Sequence, residues 1–270
     1  MLESNHKTKQ KPYAEISVLT NQSWMGKRFS IDDTGRLQKQ VNGLFTQGCV
    51  GVHNVPRAND LLNLTEALEP KDALCLGIPS CGARKINVTA RNYKNRLANS
   101  SQNCITRTKD DFGFADGEGW LLLDHDTKDL PESVTSKLAD LGGIFAALTT
   151  IWPELAGADF LVRPSSSAGV FIAGGTPTDA TSFHMFVRLG SASDIPSALR
   201  ALHARCWQHG LGYHLISKSG QMLDRSIIDV SVGSPERLIF TAPPILGPNV
   251  RREAPPTVCH EGEPLDAPRQ

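Results

Sequence analysis

The spacing of apolar positions changes several times along the chain, and each change predicts an element. Trp120 to Leu123 is an unbroken apolar run behind Gly119, the pattern of a buried strand, and it ends in Asp124-His125-Asp126. Val134, Leu138, Leu141, Phe145 and Leu148 then recur at intervals of three and four. They predict a helix that stops before Pro153 and is weakened at Gly142-Gly143. Phe160 to Val162 predicts a second short strand. Val170 to Ala173 and His184 to Leu189 flank a Gly-Gly-Thr-Pro-Thr-Asp turn, which predicts a hairpin or a bulged strand. Ser193 or Asp194 caps a second helix with Pro196 in its first turn, Leu199, Leu202 and Cys206 on one face, and Gly210 as terminator. Tyr213 to Ile216, Ile227 to Val230 and Leu238 to Phe240 are the remaining strand candidates.

The order strand, helix, strand, strand, helix, strand is that of a ferredoxin-like, RNA-recognition-motif-like unit: an antiparallel sheet with helices on one face and the other face free for a ligand. Ahead of it, Ile16 to Phe114 mixes short apolar strands with a helix-like stretch at Asn59 to Leu68 and reads as an accessory α/β unit. Seven of the chain's 17 prolines fall between Ala242 and Gln270, a density that argues against helix and sheet there. The expected fold is therefore α+β: a flexible N-terminus over 1–15, an α/β unit over 16–115, an antiparallel-sheet unit over 116–241, and a Pro-rich tail or linker over 242–270.

Composition narrows the class without identifying the function. Of 270 residues, 40% are hydrophobic and 21% charged, which excludes disordered and fibrous chains. Lys+Arg 28 balance Asp+Glu 28, so only the local distribution of charge can reveal a polyanionic partner. The start is polar and no long apolar run follows, so a cytoplasmic protein without a membrane segment is expected. Six scattered cysteines with no CxxC pair read as reduced thiols.

That local distribution is segregated. Arg84, Lys85, Arg91, Lys94, Arg96, Arg107 and Lys109 fall in a stretch without any acid, and nine acids follow between Asp110 and Asp140. Two solvated faces that pair with each other is the plain explanation; a groove that tracks nucleic-acid phosphates beside a metal site is the functional one. Within the acidic stretch, Asp124 and Asp126 are two apart at a strand end, so strand alternation projects both carboxylates to one side. Such a pair can ligate hard divalent cations, Mg²⁺ or Mn²⁺ rather than zinc. Two ions about 3.5–4 Å apart activate an attacking hydroxyl and stabilise the leaving oxygen in phosphoryl transfer.

Ser182-Phe183-His184 places a hydroxyl and an imidazole on one strand face, a combination that suits phosphate oxygens, although a lone histidine at a strand start is more often a satisfied structural residue. No GxSxG elbow accompanies the pair. Asp229, after Ile227-Ile228, can complete a metal site. Arg237 enters the next strand with a planar fork suited to a triphosphate or to a simple ion pair.

Taken together, LLLDHD (Leu121 to Asp126), SFH (Ser182 to His184) and SIID (Ser226 to Asp229) resemble the archaeo-eukaryotic primase superfamily, which carries DxD or DxE, SxH and hydrophobic-Asp motifs in this order. The likeness spans roughly Arg107 to Phe240. It includes Arg163-Pro164-Ser165-Ser166-Ser167, similar to a serine-rich stretch in primases of plasmids and integrative elements. The resemblance implies that Asp124, Asp126 and Asp229 are metal-binding catalytic acids, and that Ser182, His184, Arg237 and Arg163 contact the incoming nucleotide. Arg84, Lys85, Arg91, Lys94, Arg96 and Arg107 would line the template side. One departure stands out: relatives often carry a basic residue two positions before the Ser of SxH, where this chain has Ala180, leaving Arg163, Lys218 or Arg107 to supply the charge.

The activity implied is a DNA primase-polymerase that joins dNTPs or NTPs on a single-stranded DNA template with two Mg²⁺ or Mn²⁺ ions, in replication of a mobile element. A helicase, fused or separate, is the implied partner. The alternatives are a non-catalytic single-stranded nucleic-acid-binding module, disfavoured because few aromatics are available for base stacking, and a metal-dependent nuclease using the same acids.

Overall fold

The computed structural model describes residues 13–91, 104–177 and 181–269. The N-terminal part carries β1 (Glu15–Asn21), β2 (Gly26–Ile31), β3 (Leu37–Asn42), β4 (Gln47–Asn54), α1 (Ala58–Glu66), β5 (Asp72–Cys75), β6 (Ile78–Pro79), β7 (Lys85–Thr89), β8 (Cys104–Thr106) and β9 (Phe112–Gly113). After it come β10 (Gly119–His125), α2 (Glu132–Asp140), α3 (Ile144–Ile151), β11 (Phe160–Pro164), β12 (Val170–Ile172), β13 (Phe183–Leu189), α4 (Ile195–Gln208), β14 (Gly212–Ile216), β15 (Met222–Ser226), β16 (Ile245–Leu246), β17 (Val250–Arg252) and β18 (Val258–His260). The class is α+β with mostly antiparallel sheets.

The first sheet has the order β5-β1-β4-β7-β8 and the second β10-β13-β11-β18. β1 is buried on both faces because it packs between two cores: Ile16 and Val18 join the large core that includes Trp120 to Leu123, whereas Leu19 joins Phe45, Val50 and Phe112. The large core is continuous across both parts of the chain, and Trp120 Nε1 donates to the Val55 carbonyl at 2.9 Å within it.

The predicted helix through Val134 and Leu148 is two helices. Gly142 (φ 86°) and Gly143 (φ 100°) adopt left-handed backbone, the Gly143 N–H closes back on the Leu138 carbonyl at 2.7 Å, and α3 leaves at 80° to α2. Only glycine takes such angles cheaply, so the weak point in the pattern is a corner. α4 follows its periodicity, burying Ile195, Ala198, Leu199, Leu202 and Cys206 and ending at Gly210 (φ 69°). Among the described residues no single helix is long and apolar enough to cross a membrane.

Four expectations are corrected. β12 and β13 do not form a hairpin: β12 pairs with β17, and β13 lies between β10 and β11. Ile227 to Asp229 is a bend after β15 rather than a strand. Its isoleucines are apolar because the bend buries both. Leu238 to Phe240 contributes one bridge, Ile239 with Leu74. The largest correction concerns the tail, which is not a structureless linker. β16 pairs in parallel with β2, β17 with β12, and β18 adds to the edge of β11. Pro248, Pro255 and Pro256 fall between these short strands and Pro264 after them, where no ladder donor is required, so they punctuate the pairing without preventing it.

Candidate active site

Three segments far apart in sequence meet at one end of the second sheet. The register sets Asp124 of β10 directly opposite His184 of β13, and His184 opposite Arg163 of β11. Alternation turns Asp124 and His184 to one face. Their neighbours His125 and Phe183 turn to the other, where the rings approach to 5.2 Å and His125 Nδ1 meets the Ile227 carbonyl at 2.7 Å.

Asp126 lies one residue past β10 and is exposed. Ser182 Oγ donates to its Oδ1 at 3.2 Å and accepts the Thr127 N–H at 3.1 Å, while the Lys128 N–H holds the same Oδ1 at 3.0 Å. The bend after β15 is fastened to β10 by the Asp229 N–H, which donates to the Asp124 carbonyl at 3.0 Å. The Asp229 carboxylate turns to the Ser231 N–H (2.9 Å) and Oγ (2.8 Å), with Arg225 at 3.7 Å. The structure therefore brings the three acids to one place, but among the described residues no three His, Cys, Asp or Glu side chains converge into a ready-made metal cage.

In front of Asp124 and His184 opens a cleft of about 420 Å³, walled by Lys27, Arg107, Arg237, Leu238 and Phe240. Lys27 was not foreseen. It arrives from β2, where nothing in its own segment marks it, and its Nζ donates to Ser167 Oγ at 3.0 Å. Arg107 donates to the Glu236 carbonyl at 3.0 Å from the N-terminal side, and the exposed Arg237 makes no ion pair among the described residues. Of the residues considered for the charge absent at Ala180, which itself lies outside the described residues, Arg107 stands in the cleft wall. Lys218 stands at the exposed tip of the β14–β15 turn and is not part of the cleft wall. Arg163 lines a neighbouring pocket, its guanidinium donating to Thr65 Oγ1 at 2.6 Å.

The other basic candidates spread along the first sheet. Arg84 is engaged by Glu15, Asn54 and the Val52 carbonyl; Lys85 is exposed at the start of β7; Arg91 is exposed and 3.9 Å from Asp110. Lys94 and Arg96 lie outside the described residues.

Burial and the charges of Asp229 and Asp126 push the Asp124 carboxyl up to about 6, against the pull of Lys27 and Arg237. Burial, with Lys27 and Arg163 nearby, pushes the His184 imidazole down to about 4. The two side chains stand 3.6 Å apart, but with a neutral imidazole at pH 7 this is a polar contact and not an ion pair. The two groups oppose each other in pH-dependent stability. As pH falls from about 6.5 to about 4, the unfolded chain takes up a proton that folded His184 refuses, so stability is lost. Folded Asp124 holds its proton up to about 6, so its contribution grows over the acid side of the same interval. Acidification from pH 7 to 4.5 in chelator is therefore expected to lower Tm more in Asp124→Asn than in the parent protein, which parallel melts would check.

Comparison with family models, with curated proteins and with solved structures returned no match.

Proposed function

We propose that this chain is the catalytic core of a primase-polymerase, joining nucleotides on a single-stranded DNA template. The observation that carries the reading is the convergence of three motifs: Asp124 opposite His184, Ser182 bonded to Asp126, and the Asp229 bend bonded to the backbone of Asp124. The sheet supports it too. β13 lies between β10 and β11, which the α2–α3 segment connects, a strand order compatible with a split βαβ unit, and the bend ending at Asp229 is bonded to the backbone of β10.

The donor set fits a hard divalent cation: three carboxylates, of which Asp124 bears the repulsion of the other two, offset only in part by Lys27 and Arg237. Asp124, Asp126 and Asp229 would hold Mg²⁺ or Mn²⁺, Asp229 giving up its bonds to Ser231. Bound there, the ions supply charge neutralisation at the triphosphate and activation of the 3′-hydroxyl.

The chain's own groups do the rest. Lys27, Arg107 and Arg237 bind the triphosphate by charge, and neutral His184 offers one hydrogen bond to a phosphate oxygen without adding to the positive field. Ser182 orients Asp126. Phe240 and Leu238 give the cleft an apolar wall against which a base can lie, and its volume suits a small ligand. The reaction is attack of the primer 3′-oxygen on the α-phosphorus with release of pyrophosphate, accelerated mainly by positioning and electrostatics.

Incubation with single-stranded DNA, labelled dNTPs or NTPs and Mn²⁺ or Mg²⁺, with and without a primer, tests this. Template-dependent products are expected, and products without primer make the chain a primase. Metal-dependent cleavage without added nucleotides would instead make it a nuclease; DNA binding with neither activity would leave a binding module.

A further inference from the structure

Beyond the cleft, with no lining residue in common with it, lies a polar pocket of about 250 Å³ between β11, the serine-rich turn and the tail. Two arginines enter it from segments far apart in sequence, Arg163 from β11 and Arg252 from β17. Neither guanidinium has a carboxylate within ion-pair distance among the described residues. Arg163 donates to Thr65 Oγ1 at 2.6 Å, and Arg252 donates to the Ala168 carbonyl at 3.1 Å and the Ser165 carbonyl at 3.3 Å. Burial lowers the pKa of both, a sign that their charge is poorly solvated. On the same wall is Ser166, 5% exposed, whose Oγ is buried and has no hydrogen-bond partner. Thr241 and Thr257 add hydroxyl-bearing side chains to the lining.

Two partly buried cations outside any ion pair among the described residues, with Glu66 acting on Arg163 only from beyond ion-pair distance, are costly in an empty protein beside an unpaired buried hydroxyl. An oxyanion removes both costs at once, because guanidinium forks and hydroxyls are all donors to phosphate oxygens. We propose that this pocket is an anion site for a phosphate group, gripped by Arg163 and Arg252 and completed by the Ser166 hydroxyl. The phosphate comes either from a free polyphosphate tail or from the backbone of a single-stranded nucleic acid; the pocket chemistry is common to both. The inference does not depend on the reading of the carboxylate cleft, since it uses none of those acids.

Titration with sodium tripolyphosphate and, separately, with a (dT)₁₂ oligonucleotide, in chelator and followed by calorimetry, tests the site. Arg252→Gln and Ser166→Ala are each expected to weaken binding of at least one of the two by about tenfold, the loss of one charge-assisted hydrogen bond. Arg237→Gln, in the cleft, serves as the control and leaves the Ser166-dependent part intact. An effect confined to tripolyphosphate identifies a free polyphosphate as the source, and one confined to (dT)₁₂ identifies strand backbone. Arg252 also holds the serine-rich turn, so the decisive variant is Ser166→Ala: it deletes a hydroxyl that bonds to nothing and is expected to keep or raise Tm. If Ser166→Ala folds and binds both anions as tightly as the parent, the proposal is overturned.

Discussion

Asp124→Asn is expected to cut template-directed nucleotide incorporation by about 10³-fold or more while raising Tm in metal-free buffer. The activity loss follows from removing the carboxylate that lines the cleft, and several kcal/mol of transition-state charge stabilisation depend on the ions it would hold. The gain in stability follows from the same position. At pH 7 the carboxyl is ionised although burial and two neighbouring acids oppose it, whereas a neutral amide of equal size escapes both penalties. Allowing for partial solvent access, the gain is about 1–2 kcal/mol, or a few degrees of Tm. Primer-extension assays beside thermal melts check the two halves together, and chelator should abolish incorporation in the parent. Activity near the parent level in a folded Asp124→Asn would end the nucleotidyl-transfer reading.

Arg188→Met is expected to lower stability by about 3–5 kcal/mol, or about 10 °C in Tm, without touching the cleft. Arg188 is buried, yet it binds four parts of the fold. Its guanidinium donates to Asp159 Oδ2 at 2.8 Å, to Glu118 Oε2 at 2.8 Å and to the Gly262 carbonyl at 3.2 Å, while its own carbonyl accepts the Leu265 N–H at 2.9 Å. Asp159, fully buried, in turn accepts the first N–H of α1 at Ala58, 3.1 Å away. Removing the cation leaves a buried carboxylate uncompensated, which costs more than the pair itself contributes. Arg188→Met/Asp159→Asn should recover part of the loss, since an amide oxygen still accepts from Ala58 without a buried charge. A single variant that melts like the parent would mean that Glu118 and Asp159 are solvated well enough to stand alone.

The elements of the sheet unit that were legible in the sequence are those whose burial writes a period into the chain. β10 reads as an apolar run, α4 as a stripe, and β13 as the alternation that sets His184 on the side opposite Phe183. The glycine pair was visible as a weakness but not as an 80° corner, because helix propensity measures cost and not direction. Register was not legible: no local signal states that Asp124 lies opposite His184 rather than Phe183. The tail failed for a different reason. β16, β17 and β18 are two or three residues long and held by tertiary partners, so their sequences need only avoid proline at the paired positions. Lys27 and Arg252 were missed because their surroundings are assembled by that same tail and by β2. Asp229 was placed on a strand because buried isoleucines look alike in a strand and in a bend.

The pairing of β18 with β11 has a consequence for the order of synthesis. β13 covers one edge of β11 early, but the other edge waits for Val258 to leave the ribosome, long after Pro164 has done so. At about 5–20 residues per second that interval is on the order of ten seconds, during which an apolar strand edge stays open to solvent and to neighbouring nascent chains. A chain stopped before Val258 leaves that edge of β11 without its partner and should associate through it rather than remain dispersed.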